Sequence, residues 1–146
     1  AFMNIGAFTV VIVLGRKGEE NLNLEDYAGL ATRHPLLAVT MSVFMFSLAG
    51  IPPLAGFFGK FYVFSAAINA GYVGLAIIGV INSVISVYYY LRVTVLMYMK
   101  DPSREFKPLS ISSLTLAALI ITVFGTIQLG LFPSRILELA QSSSLF

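Results

Sequence analysis

The chain has 146 residues, 58% of them hydrophobic and only 11% charged, and it carries no cysteine. A mean hydropathy of +0.88 leaves too little polar surface for a water-soluble domain of this length, so the composition predicts an all-α integral membrane protein. The formal net charge of +2 is small and segregated into loops, which gives no support to nucleic-acid binding, and the lack of cysteine excludes disulfides and thiolate metal sites.

The first apolar segment, about residues 1–14 ("AFMNIGAFTVVIVL"), is shorter than the roughly 20 residues a bilayer span needs. It has neither a basic n-region nor a cleavage site, and it reads as the end of a membrane helix, which makes the chain a fragment of a larger multi-span protein. Gly15, Arg16 and Lys17 suit a helix C-terminus. The polar loop "GRKGEENLNLEDYAGLATRHP" follows, and Pro35 fits the first turn of the next helix.

The second segment, 36–69, would measure about 50 Å as one straight helix, against a hydrocarbon core of about 30 Å. Within it lies "GIPPLAGFFGKF", Gly50 to Phe61. Pro52 and Pro53 each remove a backbone donor and clash with the preceding turn, so they predict a discontinuous helix with carbonyls near Leu48 and Ala49 left without partners. Unwound backbone at membrane depth survives only when buried in protein or facing water. Gly50 to Leu54 is therefore expected in the interior of a bundle, between two half-helices.

The third and fourth segments, 72–99 and 109–131, read as further spans, the fourth with a capped start in "LSISS". The end, "FPSRILELAQSSSLF", reads as a short amphipathic surface helix with Ile136, Leu137 and Leu139 against lipid or protein. The whole of 1–146 forms a single membrane region.

Charge predicts the topology. Three of the nine Lys and Arg lie between Gly15 and His34 and three between Lys100 and Pro108. If the broken segment crosses once, loops 15–34 and 100–108 share a side, cytoplasmic by the positive-inside rule, with the C-terminus opposite. Tyr72 and Tyr98 would mark the two interfaces of the third span.

Lys60 is the one charged residue between His34 and Arg92. On the half-helix after the break it is too far from either basic loop to snorkel easily, so it must face protein or water. Lysine suits a group that takes up and releases a proton, because a desolvated ammonium gives up its proton far more readily than a guanidinium. Two other readings are open: snorkelling toward Asn69, or neutralising a carboxylate on a neighbouring chain without moving protons. Gly50, Gly56 and Gly59 would leave room for ordered water beside Lys60, with Ser86 and Tyr89 as further channel lining.

Other polar residues point less clearly to chemistry. His34, beside Pro35 and without a second histidine, reads as a solvated or capping residue rather than a ligand. Tyr88, Tyr89 and Tyr90 point around a helix, so one or two at most could face a polar interior. Arg92 reads as a snorkelling anchor, and Asn82, Ser83 and Ser86 as cross-helix hydrogen bonders. No phosphate-binding loop, nucleophile triad or metal cluster is visible.

The runs "HPLLAVTMSVFMFSLAGIPPLAGFFGKFYVF" and "SVISVYYYLRVTVLMYM" closely resemble the C-terminal part of the antiporter-like subunit N family of bacterial respiratory complex I, NADH:quinone oxidoreductase, related to mitochondrial and chloroplast subunit 2. The resemblance covers essentially the whole chain, which would be the last three of about fourteen helices and the end of one before. In M-type relatives the position of Lys60 is usually glutamate, and in L-type relatives lysine is followed by aspartate; "GKFYVF" has neither, which favours the N type. The resemblance implies proton translocation across a bacterial inner membrane, with Lys60 as relay on the path toward the positive side and Pro52 and Pro53 at the break. It implies other membrane-arm subunits and lipids as partners. NADH, FMN, iron–sulfur clusters and quinone would sit in other subunits, with no cofactor or metal in this chain. A multisubunit cation/proton antiporter would use the same lysine, and a non-catalytic scaffold would keep it as a structural charge.

Overall fold

The computed structural model describes residues 1–15, 23–102, 109 and 111–134, and among these the regular structure is helical. The elements are α1 (Phe2–Leu14), a 3-10 turn at Leu24–Tyr27, α2 (Leu30–Arg33), α3 (Pro35–Ala49), α4 (Ala55–Asn69), α5 (Val73–Met99) and α6 (Ser113–Leu131). Pro35 opens α3 at its first position, where a missing amide hydrogen costs nothing. α6 begins at Ser113 because the Ser112 hydroxyl accepts from the Thr115 amide at 3.2 Å, which satisfies one of the first-turn donors.

α3 stands at the centre, against α1, α4, α5 and α6. Phe44, Ala38 and Ser47 on it are fully enclosed. Small residues set how closely the helices approach, as they do where lipid removes the hydrophobic drive for helix association. A β-carbon on Gly6 of α1 would collide with the Phe44 ring of α3, and one on Gly125 of α6 would stand 3.0 Å from the Phe2 ring of α1. α5 and α6 are long and apolar enough to cross a membrane. α3 and α4, at 15 residues each, are each only about 22 Å long.

The Gly29 amide donates to the Leu96 carbonyl at 3.1 Å, and Glu25 faces Lys100 at 3.9 Å across an exposed contact. These contacts bring the described parts of the two basic segments to one end of the bundle. Arg16, Lys17, Arg104, Lys107 and the expected amphipathic helix at Ile136, Leu137 and Leu139 lie outside the described residues.

The break itself is covered on one side only. Gly130 of α6 packs so closely on the backbone of Pro53, Leu54 and Ala55 that a β-carbon there would collide with the Pro53 carbonyl. Ile51, Pro52 and Pro53 are exposed on the other side. Within the described residues α3 occupies the centre, α4 runs along its side, and the break at 50–54 lies against α6.

Candidate functional site

The site is built on the end of α3. Gly50 takes a left-handed conformation (φ +88°), its amide donates to the Ser47 carbonyl at 3.0 Å, and the Ile51 amide donates to the Phe46 carbonyl at 3.0 Å. This pair of bonds closes a helix C-terminus on a left-handed glycine. The helix therefore stops before the prolines are reached, and the prolines prevent it from resuming. Leu54 donates back to the Ile51 carbonyl at 3.1 Å, enclosing the Pro52–Pro53 peptide, which is cis.

The sequence predicts carbonyls near Leu48 and Ala49 without partners. Instead, the Lys60 ammonium Nζ donates to the Ala49 carbonyl at 3.0 Å. Lys60 thus reaches back over the preceding turn of α4, the direction in which helical side chains lean, and does not snorkel toward Asn69. The carbonyl end of a helix carries partial negative charge, so it favours a cation placed there. Gly50 makes the contact possible: a β-carbon at that position would lie 3.1 Å from Lys60 Cδ and 3.3 Å from Nζ.

Lys60 also borders a cavity of about 530 Å³ between α1, α4, α5 and α6. Most of its lining is apolar, and the polar side chains on it besides Lys60 are Asn82, Ser83, Ser86 and Tyr90 of α5, with Thr126 of α6. Residues 82, 86 and 90 recur every four positions, so they form one stripe about 12 Å long on a single helix face. Among the described residues no carboxylate borders this cavity, and no group of three His, Cys, Asp or Glu comes together. The ammonium's bond within the described residues is to the Ala49 carbonyl, a dipole rather than a counter-charge.

The residues singled out in the sequence fall into three sets. Lys60, Gly50 and Ser86 meet around the end of α3 and the cavity, with Gly59 on its wall and open space beside its α-carbon. Gly56 reaches the cavity wall, but it does not leave room for water: the space of its missing side chain is taken by the Ser47 carbonyl of α3. Tyr89 lies away from the cavity and is 61% exposed, whereas Tyr90, one residue and about 100° further round the helix, lines it. The Ser86 hydroxyl donates within its own helix, to the Ser83 carbonyl at 2.7 Å. Arg92 is exposed outside the cavity, and His34 occupies the N-cap position of α3 without a side-chain capping bond. Two participants escape a sequence reading. Tyr90 is signalled only by its four-residue offset from Ser86, and Ser47, which accepts from the Gly56 amide at 3.1 Å, by nothing in the pattern.

Comparison with known proteins places the chain in a family. The family model described as NADH:quinone oxidoreductase/Mrp antiporter, TM, matches residues 1–86. A curated relative named NADH-quinone oxidoreductase subunit N from Trichlorobacter lovleyi is 55% identical over 142 residues, covering 97% of this chain and 29% of its own length. Subunit N 2 from Rhizobium meliloti is 48% identical over 143 residues, covering 98% and 30%. A chain of respiratory complex I from Thermus thermophilus with bound aureothin superposes with a TM-score of 0.78 at 31% identity, over 94% of this chain and 33% of that one. The chain thus spans about 29% of the length of its first curated relative. Its described helices and matched residues identify it as a member of the NADH:quinone oxidoreductase/Mrp antiporter transmembrane family.

Proposed function

We propose that this chain is part of the proton-translocating membrane arm of NADH:quinone oxidoreductase and that Lys60 is a proton relay in it. The observation that carries the proposal is the Lys60 ammonium on the Ala49 carbonyl, at the edge of a cavity that a stripe of polar residues on α5 also borders. In the protonated state the charge is held by the end of α3. When the proton passes to water in the cavity, the neutral amine keeps only an uncharged hydrogen bond, and that bond is weaker. The contact thus differs between the two protonation states, as a relay requires.

The partners are the other membrane-arm subunits and lipid, the location is a bacterial inner membrane, and the redox groups sit in other subunits. The relatives named for subunit N favour this reading over a cation/proton antiporter, which the family description also includes. One observation favours a scaffold reading: the same bond supplies a partner to a helix-end carbonyl and would hold the break together without moving a proton.

Proton pumping by the complete complex in vesicles separates these readings, with Lys60→Ala and Lys60→Arg compared at equal assembly. A relay predicts that both variants assemble and lose pumping, since arginine keeps its proton. Full pumping by the arginine variant would leave Lys60 as a fixed charge, and sodium-dependent transport without redox substrate would identify an antiporter. In the proposed topology the basic loops are cytoplasmic, so cysteines introduced at Lys100 and Asn69 should label from opposite faces of the membrane.

A further inference from the structure

We propose that Ser47 is a positioning residue that sets where Lys60 meets α3; this rests on the relay reading above. Ser47 is fully buried. Its hydroxyl accepts from the Gly56 amide of α4 at 3.1 Å and lies 3.2 Å from the Met3 sulfur of α1. Three helices therefore meet at one oxygen.

The use of this hydroxyl is unusual within the chain. Ser42, Thr122 and Thr126 are also buried, and each donates back to a carbonyl of its own helix, at 2.8 Å to Ala38, 2.8 Å to Ala118 and 2.7 Å to Thr122 respectively. Ser47 instead serves α4, whose own N-cap, Leu54, offers no side-chain acceptor. The Gly56 amide is one of the first-turn donors that a helix cannot satisfy internally. A side chain from α3 thus does the capping.

Geometry ties this cap to Lys60. Gly56 and Lys60 are four residues apart, on one face of α4, and Ser47 and Ala49 both lie in the last turn of α3. Two bonds, Gly56 amide to Ser47 hydroxyl and Lys60 ammonium to Ala49 carbonyl, join the same two helix ends one turn apart. The backbones cannot come closer, because the Ser47 carbonyl already fills the space of a Gly56 side chain. Removing the hydroxyl leaves a buried amide without an acceptor, and α4 can relieve it only by shifting its first turn, which carries Lys60 off the Ala49 carbonyl.

The test uses the complete complex with the full-length subunit carrying Ser47→Ala, Ser47→Cys, Met3→Leu or Lys60→Gln, each measured for assembly and for proton pumping against pH. Among the described residues the titratable side chain that shares the cavity with Lys60 is the Tyr90 phenol; α3 and α6 carry none. Ser47→Ala should assemble and lose pumping by about tenfold, with a changed pH profile because the ammonium has lost its place on the Ala49 carbonyl. Ser47→Cys, which keeps a weak acceptor, should recover part of the rate. Met3→Leu, which keeps the Gly56 bond but removes the sulfur to which the Ser47 hydroxyl donates at 3.2 Å, should fall between wild type and Ser47→Ala. Wild-type rate and profile in Ser47→Ala, or failure of that variant to assemble, overturns the positioning role. Wild-type pumping in Lys60→Gln overturns the relay reading itself, whatever Ser47 does.

Discussion

The two halves of the broken segment make an instructive pair. α3 and α4 are both 15 residues long, and eight residues of α3 are buried against one, Gly56, of α4. Both are apolar, so apolarity does not explain the difference. α3 carries Ala38, Ser42, Ser47 and Ala49 among its larger residues and lets neighbours close in on several sides. α4 presents Phe61, Tyr62 and Val63 outward and closes on α3 through Gly56 and on α5 through Phe64 against Gly79. In lipid, where tails are as apolar as leucine, small residues and shared hydrogen bonds decide which helix becomes the centre. The buried half is therefore the anvil on which the other half places its lysine.

The largest expected contrast lies in two phenylalanines. Phe44→Ala on α3 would empty a fully enclosed site and should destabilise the protein by about 3–5 kcal/mol, seen as a fall in the temperature at which the detergent-solubilised complex comes apart. Phe61→Ala on α4, where the ring is 54% exposed within this chain, should cost less than Phe44→Ala. Equal losses would break the distinction between centre and rim.

A smaller effect is expected where the halves touch. Gly56→Ala forces a methyl against the Ser47 carbonyl and should cost about 2–3 kcal/mol, read in the same thermal assay. At Gly50 an alanine meets both the left-handed backbone and the Lys60 side chain, so about 1–2 kcal/mol should accompany a loss of pumping. Gly56→Ala tests the packing of the halves, and Gly50→Ala tests the path of the lysine between them.

The smallest contrast is on α5. Tyr90→Phe removes a hydroxyl from the cavity wall and should lower pumping by roughly fivefold at most, while Tyr89→Phe on the outer face should leave it unchanged. The reverse pattern would mean that the relevant water path lies on the exposed side of α5.

Much of this was legible in the residues. Pro35, Pro52-Pro53 and the glycines mark helix ends through local backbone chemistry, and a lone lysine in a long apolar run has few places to go. The partner of that lysine was not legible, because the Ala49 carbonyl becomes available only once Gly50 has ended α3 and α4 has folded back beside it. Sequence cannot choose between Tyr89 and Tyr90 for the same reason: it supplies the angle between neighbours on a helix but not the direction of the helix itself.

By itself the sequence determined an all-helical membrane chain, an interrupted second segment and a charge placed beside the interruption, because composition, proline geometry and the cost of charge in lipid act through local or bulk properties. The tertiary structure alone decided that α3 is the centre, that the Ser47 hydroxyl joins three helices, and that Lys60 rests on a helix end. Those contacts join residues on different helices, and their partners are selected by how closely the backbones can approach.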